Sequence, residues 1–341
     1  MSTDTSPRWQ PALARKSHLS AIRALYELVW EREVSEAFLK WKLFDGPCGS
    51  LASVAMAGEA CVGLYAVIPT PLTLDGAREM GAQSVDTMTH PDYRRQNMSV
   101  TLARHCYAEA EARGYRLVYG LPNENSYPMF MTKLGWLKLD DMVRFVRPLS
   151  APSKVPRLFA PLLDAAMSAQ ARSGSGSRAV TVTPITSSSW FHMPPPAPAG
   201  ARCRVDISPD WLAWRYGAEP GGAYEQVLLG NPKAPDAVVI FDMVPDENES
   251  AGRPLLRINL LRGITAEDRQ EALRAIVRIG AERGARSASL FTSDPETQAQ
   301  LRRAGFVARD TLPLCYGGFV PGRDPVALAK GDMAMEGGDR D

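Results

Sequence analysis

The chain has 341 residues, 45% of them hydrophobic and 23% charged, with a formal net charge of +1. These are ordinary values for a globular protein, and the length favours two domains over one. The balanced charge gives no electrostatic case for nucleic acid or an anionic membrane as partner, and the five scattered cysteines (Cys48, Cys61, Cys106, Cys203, Cys315), with no C-x-x-C spacing, argue against a disulfide framework or a zinc site.

The opening "MSTDTSPRWQPALARKSHLSA" has no apolar h-region, and no window reaches the roughly 18 apolar residues of a spanning helix, so a cytoplasmic protein with no membrane partner is expected. Residues 18–30 place Ile22, Leu25, Leu28 and Val29 at helical spacing. A short helix follows in "FLKWKLFDGPCGS", broken at Gly46-Pro47. "LASVAMAG" and "CVGLYAVIPTPLTL" read as strands joined by a hairpin near Gly58, and "AQSVDTMTH" as another strand. Residues 97–113 form a helix with Met98, Leu102, Cys106 and Ala110 along one face. "RLVYGLP" is a strand, and a short helix ends at "KLGW" with Gly135 in a C-cap position.

Between 149 and 200 the character changes to a connector, with a helix in "LFAPLLDAAMSAQA", a strand in "AVTVTPI" and flexible or extended stretches at "RSGSGSR" and "MPPPAPAG". The second half then echoes the first. "WLAWRYGAEPGGAY" answers "FLKWKLFDGPCGS", and "LRRAGFVAR" answers "MTKLGWLKL". Trp41 and Trp214 are 173 residues apart (214 − 41), Gly135 and Gly305 170 apart (305 − 135), which suggests duplication of one α/β unit, with a chance match of these short motifs as the alternative. The expected organisation is 1–148, a connector over 149–200, a second unit over 201–321, and a disordered tail over 322–341. Trp41 and Trp214 are expected to anchor the core of each unit, and Trp190, Phe191 and His192 either pack or line a cleft.

The stretch "HPDYRRQNMSVTLARH" puts a donor-rich turn between a strand and a helix. The first amides of a helix lack intrahelical partners, and the dipole adds partial positive charge there, so this geometry suits a phosphate. A basic pair on a surface turn would look the same.

Residues 89–136, "THPDYRRQNMSVTLARHCYAEAEARGYRLVYGLPNENSYPMFMTKLGW", resemble the core of the GNAT superfamily of acyl-CoA-dependent N-acyltransferases. The family signature is R/Q-x-x-G-x-G/A after the fourth strand, then a helix, a strand, an asparagine and a short helix ending in L-G-F. Arg94, Arg95, Gln96, Asn97, Met98 and Ser99 occupy the signature, and Leu134, Gly135 and Trp136 the L-G-F. The resemblance covers residues 10–147 well and 202–320 faintly. It implies an α/β (α+β) fold of two GNAT-like units, each a mixed, mostly antiparallel sheet flanked by helices. It also implies acyl-CoA, acetyl or longer, as co-substrate, with no metal, and transfer to a primary amine by direct attack in a ternary complex.

Carried onto this chain, the resemblance implies that backbone amides at Thr87, Met88 and Thr89 engage pantetheine and polarise the acyl carbonyl. Pyrophosphate would be held by the amides of Arg95, Gln96, Asn97, Met98, Ser99 and Val100, with Arg94 beside them. Asn125 matches the asparagine that contacts the pantetheine arm. Asp86 is the candidate base, with a hydrogen-bonded strand carboxylate as the alternative; His90 is a weaker one. Met131 stands where the family often has its tyrosine acid, and Tyr127, one turn earlier, either substitutes or packs. Asn97 and Ser99 replace the signature glycines; asparagine tolerates left-handed angles, so the turn can survive. The second half has no such signature, and Glu267 and Asp268 would repel phosphate, so CoA is expected in the first unit only. The stretches "WKLFDGPCG" and "PNENSY" resemble those of two-domain bacterial N-acyltransferases that act on amino sugars, often nucleotide-linked ones, and the resemblance implies such an acceptor. Other small amines, peptides or proteins, or a silent acyl-CoA-binding module, remain open.

Overall fold

The computed structural model describes residues 9–151, 158–172, 178–186, 201–246, 252–319 and 326–337. Trp190, Phe191 and His192 lie outside them. In the first half, β1 (Gln10–Leu13) leads to α1 (Leu19–Trp30) and α2 (Glu36–Phe44). Helix α1 buries Ile22, Leu25 and Tyr26 and stops at Glu31, which turns left-handed. The Ser35 hydroxyl accepts the Phe38 amide and starts α2. Strands β2 (Leu51–Ala57) and β3 (Ala60–Leu74) form a hairpin through Gly58, whose φ is +62°. β4 (Ala77–Thr89), α3 (Met98–Ala112), β5 (Val118–Gly120), α4 (Tyr127–Lys133) and β6 (Leu137–Pro148) follow. The α3 face expected from Met98, Leu102, Cys106 and Ala110 is buried.

The second half holds α5 (Ala160–Arg172), β7 (Val180–Pro184), β8 (Cys203–Val205), α6 (Pro209–Leu212), β9 (Tyr224–Asn231) and β10 (Ala234–Val244). After these come β11 (Leu255–Gly263), α7 (Ala266–Glu282), β12 (Ser287–Thr292), α8 (Pro295–Arg303), β13 (Val307–Gly317) and β14 (Met333–Ala334). No helix of the described residues is long and apolar enough to cross a membrane.

Two compact units result. Unit 1 comprises Met1–Leu139, Val205–Pro220 and Pro313–Ala329; unit 2 comprises Asp140–Arg204, Gly221–Leu312 and Lys330–Asp341. In unit 1 the strand order is β1-β2-β3-β4-β5-β13; in unit 2 it is β7-β9-β10-β11-β12-β6. Both sheets are antiparallel except for one parallel pair, β4 with β5 and β11 with β12. The pattern is the same twice over. In unit 1 one apolar cluster, around Ile22, Leu25, Leu39 and Leu64, lies under α1 and α2; a second, around Tyr65, Met98, Cys106 and Trp136, lies under α3 and α4. Unit 2 has its own core around Phe241, Leu273, Ile276 and Phe306.

Each unit completes its sheet with a strand from the other half of the sequence. The Cys315, Tyr316 and Gly317 end of β13 pairs with β5, and residues 143–148 of β6 pair with β12. The expected boundaries at 148 and 201 therefore cut across both units. A strand's alternation says that it pairs but not with which neighbour, and the two edges on offer are equivalent by duplication.

Two further expectations change. Trp41 and Trp214 both lie in unit 1, stacked with ring centroids 5.2 Å apart. Each indole N–H donates to the other's carbonyl, at 2.8 and 3.1 Å, so the two echoed segments meet each other and do not anchor separate cores. The tail is not structureless over residues 326–337: Met333 and Met335 are buried, and β14 runs parallel to β8.

Candidate functional site

Strands β4 and β5 pair only at Ala82–Val118 and Gln83–Tyr119. Beyond that point they separate. Gly120 allows the close approach just before, since a Cβ there would lie 3.2 Å from the Ser84 carbonyl oxygen. On its other edge β4 bulges: Tyr65 pairs with Thr87 and Val67 with Ser84, so Val85 and Asp86 together oppose Ala66. The opening holds a cavity of about 100 Å³ lined by Ser84, Val85 and Thr87 from β4, by Gly120, Leu121, Pro122 and Asn123, and by Trp30, Ser126, Phe130 and Trp136. Its wall is fixed from behind: the Trp136 indole donates to the Tyr107 hydroxyl (3.0 Å), which is 2.9 Å from that of Tyr65. Burial pushes both phenols' pKa values up, so they stay neutral.

The predicted turn follows β4 directly. Asn97 has φ +58° and ψ +20°, the left-handed angles its residue type permits, and its side chain does not cap the helix. Arg95 is left-handed too, at φ +65°, which its residue type did not announce. Among the described residues, the first α3 backbone bond runs from the Thr101 amide to the Asn97 carbonyl (3.1 Å), and the amides of residues 95–100 donate to no backbone acceptor. Thr89 and Ser99 are joined through their hydroxyls at 3.1 Å, tying the end of β4 to the first turn of α3. Gly63 lets α3 settle on β3, because a Cβ there would meet Met98. Arg94 and Arg95 are exposed, while Gln96 accepts from the Trp9 indole at 3.1 Å.

Asp86 is elsewhere. Its carboxylate is 7% exposed, accepts the Tyr26 hydroxyl of α1 and lies 2.9 Å from Lys42 Nζ of α2. Asp86 is not among the cavity's lining residues. Asp86 thus forms a buried ion pair, in keeping with the hydrogen-bonded strand carboxylate of its alternative reading. Lys42 was the signal: it stands between Leu39 and Leu43 on the buried face of α2, where a lysine needs an acidic partner. His90 caps the turn after β4, its Nδ1 accepting the Asp92 amide at 3.2 Å.

Of the two asparagines, both exposed, Asn123 lines the cavity and Asn125 stands two residues on. The Asn123 Oδ1 accepts the amides of Asn125 (3.1 Å) and Ser126 (3.0 Å), starting α4. The two flank one residue in "NEN", and only the Asx turn into α4 separates their parts. Tyr127 and Met131 are half-buried against the Trp136 cluster.

In unit 2 the matching helix start is closed by its own side chains. The Thr265 hydroxyl accepts the Asp268 amide (3.1 Å) and the Asp268 carboxylate accepts the Thr265 amide (2.8 Å). Arg178 then lies 2.5 Å from both Asp268 and Glu271.

Residues 11–138 match the family model described as "Acetyltransferase (GNAT) domain". No curated protein matches the chain. A solved GCN5-related N-acetyltransferase from Anabaena variabilis is similar at TM-score 0.62 and 12% identity, over 92% of this chain and 73% of that one. One from Kribbella flavida is similar at TM-score 0.60 and 15% identity, over 91% and 71%. Saccharomyces cerevisiae N-myristoyltransferase with bound myristoyl-CoA is similar at TM-score 0.60 and 9% identity, over 93% and 79%. At these identities the likeness shows the fold.

Proposed function

We propose that this chain, a member of the GNAT superfamily with its domain at residues 11–138, transfers an acyl group from acyl-CoA to a primary amine in unit 1. The observation that carries the reading is the free amide set at residues 95–100, beside the opening between β4 and β5. Those donors fit a pyrophosphate. Acyl-CoA, when bound, supplies an activated thioester carbonyl. Amides of Thr87, Met88 and Thr89 would engage the pantetheine arm and polarise that carbonyl, with Asn123 at the mouth in the place first expected of Asn125. Arg94 would add charge at the rim.

Direct attack by the amine is supported by the cysteines: burial pushes the Cys61 and Cys106 thiols up to about 12 and raises that of Cys48, and no cysteine lines the cavity. The lining has hydroxyls and an asparagine but no carboxylate or imidazole. The amine's proton would go to Asp86, through water from beside the lining residues Val85 and Thr87, or to solvent, and orientation and amide donors would supply the rest of the acceleration. Tyr127 would donate a proton to the departing thiolate, and Asp86 also ties the β4 bulge to α1 and α2. An amino sugar, nucleotide-linked or free, is the acceptor we carry forward on the sequence pattern alone.

The second reading, a silent acyl-CoA-binding module, is favoured by Met131 and by the pairing of Asp86 with Lys42. Release of free CoA with a panel of amino sugars, nucleotide-linked amino sugars, small amines and peptides decides between them. Turnover that rises with pH towards the amine's own pKa supports the enzyme. Tight CoA binding with no turnover on any amine leaves the binding module.

A further inference from the structure

The parallel strands of unit 2 separate as those of unit 1 do, but their opening is filled. β11 and β12 pair from Leu255–Ser287 to Ile258–Leu290 and then part. β11 also bulges there, with Asn259 unpaired between the Leu260–Ile240 and Ile258–Phe241 pairs. Four residues past the last parallel pair, Asp294 accepts the Thr297 amide and starts α8, as Asn123 accepts the Ser126 amide four residues past Tyr119. The two openings match at the start of the second helix, while the bulge lies one residue past the last parallel pair in β11 and two to three past it in β4.

We infer that the opening in unit 2 is a peptide-binding groove whose ligand is the chain's own C-terminal segment, residues 332–337. The segment is bonded along its length. Ser293 Oγ donates to the Met333 carbonyl (3.0 Å) and accepts the Met335 amide (3.0 Å). The Met335 carbonyl accepts the Ser293 amide (3.1 Å) and the Thr292 hydroxyl (3.0 Å). The Glu336 carboxylate, 5% exposed, accepts the Leu261 amide (2.9 Å) and pairs with Arg262 at 2.7 Å. Gly337 passes the Ile258 carbonyl so closely that a Cβ would lie 3.3 Å from it.

Two comparisons identify this as a groove for peptide rather than for pantetheine. Leu261 stands two residues past the β11 bulge, as Met88 stands two past Asp86. The amide that unit 1 would offer to an acyl-CoA is thus spent, in unit 2, on a glutamate of the same chain. On the facing wall Thr292 and Ser293 stand where unit 1 has Leu121 and Pro122, and their hydroxyls and amide serve as the donors and acceptor for the peptide backbone. A proline and a leucine could not do this. An extended peptide with an acidic side chain and two buried methionines satisfies this wall.

The test uses the full chain with a specific protease site introduced between residues 319 and 326, cut after folding. Residues 326–341 should stay bound through gel filtration and exchange with an excess of the labelled synthetic peptide of the same sequence. The peptide with Glu336→Ala should compete at least about tenfold less well, because a charge-assisted hydrogen bond and an ion pair are lost together. In the uncut chain, Glu336→Ala should speed exchange of the Leu261 amide by a similar factor. Loss of the fragment on cutting with Leu261 protection unchanged would overturn the inference, as would equal competition by the two peptides. No readout involves CoA, so these results stand or fall separately from the acyltransferase reading.

Discussion

The two units share strand order, the single parallel pair and the bulge beside it, yet they use the opening differently. In unit 1 a left-handed turn at Arg95 and Asn97 leaves amides free of backbone acceptors, and apolar residues, hydroxyls and an asparagine line the cavity. In unit 2 a capping box satisfies the helix start, acidic side chains take Arg178, and the C-terminal segment fills the gap. The backbone supplies a cleft in both cases. Side chains at the helix start and on the second wall decide whether it stays open for an anion, so fold alone does not assign function to a duplicated unit.

The largest expected effect sharpens the comparison at the bulges. Lys42→Ala leaves the buried Asp86 carboxylate without its ammonium, which typically costs about 3–5 kcal/mol. Unit 2 carries Asp242 beside its bulge, paired to Arg257, whose side chain is 47% exposed, and bonded to Asn259 at 2.9 Å. Arg257→Ala should cost less than Lys42→Ala, because the Asp242 carboxylate, as buried as Asp86, keeps the Asn259 amide as donor and the guanidinium it loses is half exposed. Denaturant midpoints of the two variants measure both. Equal losses would mean that burial of the lost cation does not set the energy.

Next is the acidic start of α7. Burial raises the Asp268 and Glu271 pKa values, but hydrogen bonds from Thr265 and Arg178 to Asp268, and from Arg178 to Glu271, outweigh it, leaving both below the usual carboxylate range. Groups with a depressed folded pKa stabilise above their unfolded value and lose that contribution as pH falls through the folded one. Unit 2 should therefore keep its stability from neutral pH to about 4 and lose it below. Arg178→Ala should cost about 2 kcal/mol at pH 7 and flatten that acid limb. Urea midpoints between pH 3 and 7 provide the check, and an unchanged limb would separate Arg178 from the effect.

A smaller effect exchanges the two helix starts. Ser99→Asp places a carboxylate in the first turn of α3, as α7 has, and should weaken CoA binding about tenfold, since like charge opposes the anion at the helix end. Its structural link, the hydroxyl contact to Thr89, is partial and exposed enough for the fold to survive. Isothermal titration of CoA into the full-length variant measures the change. Unchanged affinity would place the pyrophosphate away from α3.

Much of this was legible in the sequence. Met98, Leu102, Cys106 and Ala110 gave the α3 face, and the Gly135–Gly305 spacing matches two glycines that adopt left-handed angles after their helices, whereas Trp41 and Trp214 meet within unit 1. The strand exchange was not, because β6 and β13 carry alternation but no partner label. Nor was the part played by Asp86. Its bulge displaces the alternation of β4 towards α1 and α2, and Lys42 and Tyr26 reach it from distant positions. The tail was hidden by composition: glycine and acidic residues read as solvated, although Glu336 has a buried amide and an arginine waiting.

The smallest effect isolates backbone from side chain at the turn. Asn97 sits in the left-handed region without capping α3, so its side chain contributes little that the fold requires. Asn97→Gly removes the strain of that angle but loosens the unfolded chain, and the two oppose each other, so the net change in stability should stay below about 1 kcal/mol. CoA affinity should hold or rise slightly, because the amides that face the anion are unchanged and the turn is easier to form. Arg95→Gly relieves a similar angle, φ +65°, but also deletes a cation beside the site, so its CoA affinity should fall while its stability does not. The pair thus separates conformation from charge at two positions of one turn. A loss of CoA affinity beyond tenfold in Asn97→Gly would mean that the carboxamide itself touches the ligand, and unit 1 would then owe its site to a side chain that unit 2 lacks rather than to free amides.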